Sequence, residues 1–353
     1  MASVPRLPPR LEHRIVRAAC RLPPGVQRLM FGSPPTLDGQ ILATDIHVLL
    51  RLADLAGSRS LTAGGGDPER IRAERRIEAR ITAGPATPMA RVERLELPGP
   101  AGKLAARLYV PFGLGSDPPA LLVYFHGGGW VIGDLDTHDG VCRFLAAHGG
   151  VMVLSAGYRL APEHPFPAAI EDARAAFEWA AAHATELGAD PLRIGVGGDS
   201  AGANMATVIC HLTRDRGGPK PAMQLLIYPA TDALSEHPSR RHFANGFLLT
   251  AADMDWFQRC YLPDPADEVD PRASVLRARD FSNLPPAYVL TAGFDPLRDE
   301  GEAYAARMRE AGVRVALRRH PGLIHSFANL TAVCRTARAA MLEAAGALRM
   351  GLG

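Results

Sequence analysis

The stretch RIGVGGDSAGANMATVICHLTRD, residues 193–215, decides the fold of this 353-residue chain. It begins as a short buried-strand pattern, ends with the periodicity of an amphipathic helix, and carries the pentapeptide G-x-S-x-G between them. This context predicts a sharp turn that exposes the hydroxyl of Ser200, with Gly198 and Gly202 placed where a Cβ would collide with the folded-back chain. A glycine-rich junction with an incidental serine is the alternative, and the flanking strand and helix argue against it.

Seven further apolar runs of strand length occur from residue 91 onward, and helical segments alternate with them. The runs are RVERLEL, KLAARLYV, LLVYFH, VMVLSAGYR, QLLIYP, AYVLTAG and VRVALRRH. Clear helices are predicted between them, for example at 167–182 and 298–311. Alternation of strand and helix predicts an α/β fold with a mostly parallel eight-stranded sheet and helices on both faces.

Two regions depart from this alternation. The N-terminal region is helical from Leu11 to about Arg80, with one helix opening at Asp67-Pro68-Glu69. The segment from about 232 to 284 has no strand pattern, and it contains a helix opened by Thr250. Long excursions in a regular α/β chain often cover an active site. We therefore expect residues 1–85 to form the N-terminal part of a helical cap, and residues 86–353 to form a catalytic domain with a second cap segment at about 232–284.

Composition excludes several classes of protein. Apolar residues make up 47% and charged residues 22% of the chain, as in ordinary globular proteins. The net charge of +2 is far from the basic footprint of a nucleic-acid-binding protein. The five cysteines are widely spaced without a C-x-x-C pair, which favours a reduced, cytoplasmic compartment over a disulfide framework. We expect no secretory signal, because prolines and arginines interrupt the N-terminus where a signal needs an unbroken apolar run. We expect no membrane span, because no later segment offers about 18 consecutive apolar residues.

The run His126-Gly127-Gly128-Gly129-Trp130 follows the strand pattern LLVYF. Three consecutive glycines leave backbone N–H groups unshielded, as an oxyanion hole requires. A flexible turn is the alternative, but it would not need three glycines between a histidine and a tryptophan.

A serine hydroxyl is a weak nucleophile until a histidine, held by a carboxylate, takes its proton. Asp295 is the favoured acid because it directly follows the strand AYVLTAG, at the carboxyl end where sites of parallel sheets form. Asp299 and Glu300 fall in the first turn of the next helix, where acids commonly complement the helix dipole. The remaining rivals, within the 232–284 segment, are Asp270 and Asp280.

Several histidines follow Ser200: His211, His237, His242, His320 and His325. His325 is the favoured base because it comes after the last strand and a short loop, on the carboxyl-end side of the sheet. His320 ends that strand and is its nearest rival.

Together these motifs resemble the hormone-sensitive lipase family of α/β-hydrolases, the bacterial type IV carboxylesterases. The resemblance rests on HGGGW at 126–130, YRLAPEHPFPAA at 158–169, GDSAG at 198–202, DPLRDEG at 295–301 and His325. It covers about residues 90–345, and the N-terminal region and the stretch at 231–257 are most similar to an actinobacterial branch.

The resemblance implies an α/β-hydrolase fold with a helical cap. It implies Ser200 as nucleophile, Asp295 as acid and His325 as base, and N–H donors from Gly128, Gly129 and Ala201. No metal or other cofactor is implied, and the chain has neither G-x-x-x-x-G-K-[ST] nor H-E-x-x-H. Four aromatic residues are candidates for the substrate pocket: Trp130, Tyr158, Phe247 and Phe327.

Two positions depart from the family pattern. Ala203 and Ser326 stand where a glycine is frequent, and both are small enough to preserve the geometry. In the YRLAPEHP run, Glu163 and His164 are interpreted as structural residues with neighbouring partners.

The expected reaction is hydrolysis of small carboxylic esters with short to medium acyl chains through an acyl-enzyme. Amide, peptide or lactone hydrolysis on the same fold stays open because it needs the same triad. A non-catalytic ligand receptor is disfavoured because the triad histidine is present.

The first 30 residues are strongly basic. Six arginines, at positions 6, 10, 14, 17, 21 and 28, oppose Glu12 alone and give a local charge of +5. Leu11, Ile15, Val16 and Ala19 add a short apolar stripe. Such a helix could lie on an anionic membrane surface or pack into the cap, and the shortness of the stripe favours the cap.

Overall fold

The computed structural model describes residues 8–58 and 60–353, and its central element is an eight-stranded sheet. A separate small hairpin precedes that sheet, formed by β1 (Thr36–Leu37) and β2 (Gln40–Ile41). The strands of the large sheet are β3 (Arg91–Gly99), β4 (Gly102–Val110), β5 (Leu121–Phe125), β6 (Met152–Ala156), β7 (Ile194–Asp199), β8 (Gln224–Ile227), β9 (Ala287–Phe294) and β10 (Val315–Ile324). Each of these eight strands coincides with one of the eight predicted runs.

The strand order across the sheet is β10-β9-β8-β7-β5-β6-β4-β3. The strands from β5 to β10 pair in parallel, whereas β4 pairs antiparallel with both β3 and β6. The prediction of a mostly parallel sheet is therefore confirmed. The antiparallel pairs lie at one edge, where β3 and β4 form a hairpin and need no crossover helix.

Helices precede, separate and follow the strands. They are α1 (Pro9–Arg21), α2 (Pro24–Phe31), α3 (Thr44–Leu55), α4 (Pro68–Ala83), α5 (Asp139–Gly149), α6 (Ala168–Ala182), α7 (Ala184–Leu187), α8 (Ala201–Arg216), α9 (Pro238–His242), α10 (Ala251–Tyr261), α11 (Arg298–Glu310) and α12 (Arg335–Leu352). Short 3₁₀ helices cover Pro265–Val269, Val275–Arg277 and Phe327–Leu330. The segment from 232 to 284, all of which is described, contains helices and loops but no strand of the sheet.

The sheet separates two hydrophobic cores, as β5 shows most clearly. Leu121, Val123 and Phe125 point into one core, while Leu122 and Tyr124 point into the other. This alternation follows from the two-residue period of a strand. All five residues are buried, because helices cover both faces.

The loop between α3 and α4 contacts the 232–284 segment through Asp253 of α10. The Asp253 carboxylate accepts hydrogen bonds from the Thr62 N–H at 2.9 Å and from the Thr62 hydroxyl at 2.5 Å. The same side chain forms a capping box with Thr250, which stabilises the start of α10. One carboxylate therefore caps its own helix and links it to a segment far away in the sequence.

Helix α1 packs into the fold along only part of its apolar stripe. Val16 and His13 are buried, and His13 Nδ1 lies 2.6 Å from the carbonyl oxygen of Ile81 in α4. Leu11 and Ile15, by contrast, are 45% and 46% exposed. Within residues 8–58 and 60–353, no helix combines the length and hydropathy that crossing a bilayer requires.

Candidate active site

Strand β7 and helix α8 meet at Ser200 in the sharp turn that the pentapeptide predicts. Ser200 has a φ of 56°, a left-handed conformation that residues with a side chain rarely adopt. A Cβ at Gly202 would overlap the Phe125 carbonyl oxygen, and a Cβ at Gly198 would overlap the backbone of Gly202. The Ser200 N–H donates to the Ile227 carbonyl at 2.9 Å, which fixes the turn to β8. The local sequence is thus the one that this close approach of backbones requires.

Three side chains form a continuous hydrogen-bonded row where β7, β9 and β10 end. His325 Nε2 lies 3.0 Å from Ser200 Oγ, and His325 Nδ1 lies 2.8 Å from Asp295 Oδ2. The other oxygen of Asp295 accepts the Leu297 N–H at 2.8 Å. All three side chains are buried. In this arrangement the imidazole can take the hydroxyl proton while the carboxylate orients the ring.

The rival acids have other partners. Asp299 pairs with Arg298 at 2.7 Å, and Glu300 pairs with Arg240 at 2.9 Å. Burial raises the pKa of Glu300, although Arg240 opposes that shift. Neither carboxylate is bonded to a histidine, so Asp295 is the acid that the geometry joins to His325.

His320 lies on β10, away from the row. Its Nε2 is 4.0 Å from a Glu343 carboxylate oxygen, and burial lowers its pKa. Its ring packs against Phe327 with centroids 5.9 Å apart. His320 therefore contributes to side-chain packing and is not part of the hydrogen-bonded row of Ser200, His325 and Asp295.

The glycine-rich loop after β5 leaves backbone donors beside Ser200. The N–H groups of Gly128, Gly129 and Ala201 donate to no other group in the part of the chain that the structure describes. Gly128 and Gly129 have φ values of 124° and 58°, where an L side chain would be strained. The loop and Ser200 line the same cavity. Unpaired N–H groups in such a place can stabilise a developing oxyanion.

Asp199, next to Ser200, connects the turn at Ser200 to the glycine-rich loop. Its carboxylate accepts hydrogen bonds from the Tyr124 hydroxyl at 2.7 Å and the Gly127 N–H at 3.0 Å. Tyr228 Oη and His138 Nε2 lie 3.3 and 3.4 Å from the same carboxylate. Burial alone would raise the pKa of Asp199, but His138 and these hydrogen bonds bring it below its ordinary value. The ionised Asp199 carboxylate therefore holds the turn at Ser200 and the glycine-rich loop together.

A cavity of about 980 Å³ lies above Ser200 and His325. Helices α1, α3 and α4 supply much of its apolar wall, and α10 presents Met254, Phe257 and Tyr261. These three positions share one face of α10 because they are spaced by three, four and seven residues. Apolar walls around a few polar groups are typical of small-molecule sites.

The four predicted pocket aromatics are not placed alike. Trp130 lines the cavity, where its ring stacks on Tyr261 with centroids 4.3 Å apart. Tyr158 lies behind the glycine-rich loop, and its hydroxyl donates to the His126 carbonyl oxygen at 2.8 Å.

Phe247 and Phe327 lie outside the cavity wall too. Phe247 packs on Phe294 in the core, and Phe327 packs edge-on against Tyr228. The expectation for Tyr158, Phe247 and Phe327 therefore needs correction, because nearness in sequence to a motif does not give the direction of a side chain.

The two departures from the family pattern have different local settings. Ser326 has a φ of 63°, the left-handed region in which glycine is free of strain, and it lines the cavity. Ala203 lies in α8 and is buried. A helical residue has no need of glycine's freedom, so Ala203 adds only one methyl group to the packing.

The sequence did not indicate the residues that bind Asp199 and so support the site. Tyr124, Tyr228 and His138 surround Asp199, yet they come from separate parts of the chain. The aspartate of GDSAG was the one available signal, because an acid beside a candidate nucleophile requires partners once it is buried.

Comparison with known proteins agrees with this architecture. A family described as having the alpha/beta hydrolase fold matches residues 122–329. Carboxylic ester hydrolase LipN of Mycobacterium tuberculosis is 46% identical over 335 residues, covering 93% of this chain and 88% of LipN. Ethyl acetate hydrolase of Pseudomonas putida is 42% identical over 254 residues, covering 70% of this chain and 79% of that protein. The solved ester hydrolase EH1AB1, from the metagenome of Lake Arreo, is 44% identical with a TM-score of 0.84, covering 88% and 99% of the two chains.

The fold and site thus define an α/β hydrolase, and the chain belongs to that family. Within it, the resemblance to the hormone-sensitive lipase group is confirmed by the mycobacterial and archaeal esterases among its relatives.

Proposed function

We propose that this carboxylic ester hydrolase acts through an acyl-enzyme formed on Ser200. The observation that carries the proposal is the unbroken row from Ser200 Oγ to His325 at 3.0 Å and on to Asp295 at 2.8 Å, beneath a largely apolar cavity. The names of the relatives, carboxylic ester hydrolase LipN among them, support ester hydrolysis as the reaction.

The mechanism follows from the geometry of the row. His325 takes the proton of Ser200 as the serine oxygen attacks the ester carbonyl, and the N–H groups of Gly128, Gly129 and Ala201 hold the resulting oxyanion. The protonated His325 then donates to the leaving alcohol, and an acyl group remains on Ser200. A water molecule then attacks the acyl group while His325 takes its proton. His325 returns that proton to Ser200, and the carboxylic acid is released.

The helical cap is proposed to be built from residues 1–85 together with the segment at about 232–284. Both regions contribute to the cavity wall, and the bonds between Thr62 and Asp253 join them. A cap that encloses the site favours substrates small enough to enter a cavity of about 980 Å³.

We expect kcat/KM to be highest for esters with short to medium acyl chains. A series of aryl esters from acetate to palmitate tests this, with tributyrin and emulsified long-chain triglyceride as neutral substrates. The limited volume of the cavity, about 980 Å³, predicts that kcat/KM falls for long chains. A rate that peaks on emulsified long-chain triglyceride would contradict it, and matched anilides and lactones measure the competing amidase and lactonase activities.

We propose that the protein occupies a reduced compartment, the cytoplasm. The five cysteines are all free thiols, and four of them are buried. Burial raises the pKa of the Cys142 thiol to about 12, so the thiol stays protonated at neutral pH.

Helix α1 is proposed to act as part of the cap and not as a membrane anchor. Glu12, Ile15 and Val16 line the cavity, and Val16 is buried. Arg6 of the basic segment lies outside the described residues.

Deletion of residues 1–30 is therefore expected to change acyl-chain preference and to lower the melting temperature, because it removes part of the cavity wall. The intact protein should stay in the supernatant after centrifugation with anionic phosphatidylglycerol vesicles at physiological salt. Salt-sensitive co-sedimentation of the intact protein, lost on deletion, would show that α1 binds membranes.

A further inference from the structure

Arg72 of α4 is buried although it is neither in the catalytic row nor in the cavity wall; it is 7% exposed. A guanidinium carries five N–H donors in a fixed planar fork. Here Nε donates to the Val131 carbonyl at 2.8 Å, and Nη2 donates to the Ala161 carbonyl at 2.8 Å. The remaining donors bind Glu163 at 2.9 and 2.7 Å and Glu69 at 2.7 Å. All five donors are thus satisfied, and they join α4 to two loops of the catalytic domain.

The contact with Val131 reaches the proposed oxyanion hole through the backbone. Val131 directly follows the run HGGGW, and its own N–H donates to the Gly128 carbonyl at 3.1 Å. The Ile132 N–H donates to the same carbonyl at 2.9 Å. The Gly128 carbonyl and the Gly129 N–H belong to one planar peptide unit, so fixing the oxygen fixes the direction of the N–H. Holding Val131 therefore orients a donor of the oxyanion hole.

The contact with Ala161 supports the same loop from a second side. The Ala161 N–H donates to the Trp130 carbonyl at 2.9 Å, while the Ala161 carbonyl accepts from Arg72. Trp130 has a φ of 60°, which is strained for a residue with a large side chain. Such a conformation persists only where several contacts hold it. Arg72 binds the carbonyl of the next residue, Val131, and the carbonyl of Ala161, whose N–H binds Trp130.

We propose that Arg72 is a positioning residue for the oxyanion donors, so that the N-terminal cap segment takes part in catalysis as well as enclosing the substrate. This inference rests on the proposed function. Arg72 acts through the turn Gly128–Ile132 and touches no reacting atom. Lysine cannot replace it, because one ammonium group lacks the planar fork that reaches two carbonyls and a carboxylate together.

The test compares Arg72→Lys and Arg72→Met with the wild type. The matched control is Arg80→Met, which changes an exposed arginine on the same helix. Each protein is assayed for kcat and KM on a short-chain aryl ester. The concentration of working sites is measured by titration with an aryl organophosphate, and folding by the melting temperature.

We expect both Arg72 variants to lose roughly 10- to 100-fold in kcat per titrated site, somewhat less than removal of a whole oxyanion donor, with KM changed by less than about two-fold. Arg80→Met should match the wild type. A misfolded fraction would lower the number of titrated sites and not the kcat of each one. Wild-type kcat per site in both Arg72 variants, or a loss confined to KM, would overturn the proposal for Arg72 alone. Absence of ester hydrolysis by the wild type would overturn the proposed function with it.

If the Arg72 variants fail to fold, Glu163→Gln decides the question. Glu163 has a half-exposed side chain, and the hydrogen bond from Arg72 holds its pKa below the ordinary value. Its replacement weakens the two charge-assisted bonds that hold the guanidinium, and with them the contacts of Arg72 with the Val131 and Ala161 carbonyls. A several-fold loss of kcat at constant KM supports the proposal, whereas unchanged kcat overturns it.

Discussion

Replacement of Ser200 by alanine is expected to reduce kcat for ester hydrolysis by roughly 10⁴-fold or more, the loss typical of serine hydrolases without their nucleophile. Without Oγ no acyl-enzyme forms. The free N–H groups and the cavity can then only bind the ester and stabilise the transition state of its hydrolysis to a small extent. The fold should persist, since alanine fits wherever serine does at this turn. A melting temperature close to that of the wild type would show this.

The nucleophile is identified directly by labelling with an aryl organophosphate followed by peptide mass spectrometry. The label should appear on the peptide that contains Ser200 and should be absent from Ser200→Ala. Ser116→Ala, which changes an exposed serine, serves as the matched control and should keep full activity and full labelling. Labelling that survives in Ser200→Ala would disprove the assignment.

The second large loss of kcat is expected when Asp295 or His325 is replaced. Asp295→Asn is expected to lower kcat by about 10⁴-fold, because an amide in that position can donate toward His325 Nδ1 and hold the imidazole in the wrong tautomer. His325→Ala should cost at least as much. Since the three residues act as a unit, the double variant should lose little more than either single one.

Two neighbours of the same residue types provide the controls. Asp299→Asn removes a carboxylate paired with Arg298, and His320→Ala removes an imidazole near Glu343. Both variants should keep kcat within a few-fold of the wild type, although their stability should fall somewhat because they lose buried contacts. Equal losses for Asp299→Asn and Asp295→Asn would reopen the choice of acid. An inactive His320→Ala beside an active His325→Ala would reverse the choice of base.

The sheet could be predicted from the sequence because each strand carries its own local signal. The run LLVYF becomes β5 with all five residues buried, and RIGVGG becomes β7. Turn chemistry is equally local, as Thr250 and Asp253 show by forming the capping box that their spacing allows. The helix Pro24–Phe31 lies in the region predicted as helical, but its separate bounds could not be predicted, since its eight residues are too short for a clear helical period.

The candidate catalytic residues could be selected for a related reason. Ser200, Asp295 and His325 each follow a strand that the sequence marks, and parallel strands bring their carboxyl ends to one edge. The distances among the three side chains could not be obtained this way, because they depend on how β7, β9 and β10 lie across the sheet.

The rest of the site depends on contacts between distant parts of the chain. Tyr158 is turned toward His126, although we expected its side chain in the substrate pocket. Arg72 lies in a helix with many arginines, and nothing in that pattern marks the one that is buried. Side-chain direction and burial follow from tertiary packing, which a local pattern does not encode.

Asp253 binds Thr62, and Asp45 binds Thr336. Both contacts join parts of the chain that are synthesised at different times. Thr62 and Asp253 are 191 residues apart in the sequence. The Thr336 N–H donates to the Asp45 carboxylate at 3.0 Å, and these two residues are 291 positions apart. A chain emerging from the ribosome therefore exposes its first helices long before their partners exist. These helices can complete the two contacts only after most of the hydrolase domain has been translated, so their apolar surfaces must stay unaggregated until then.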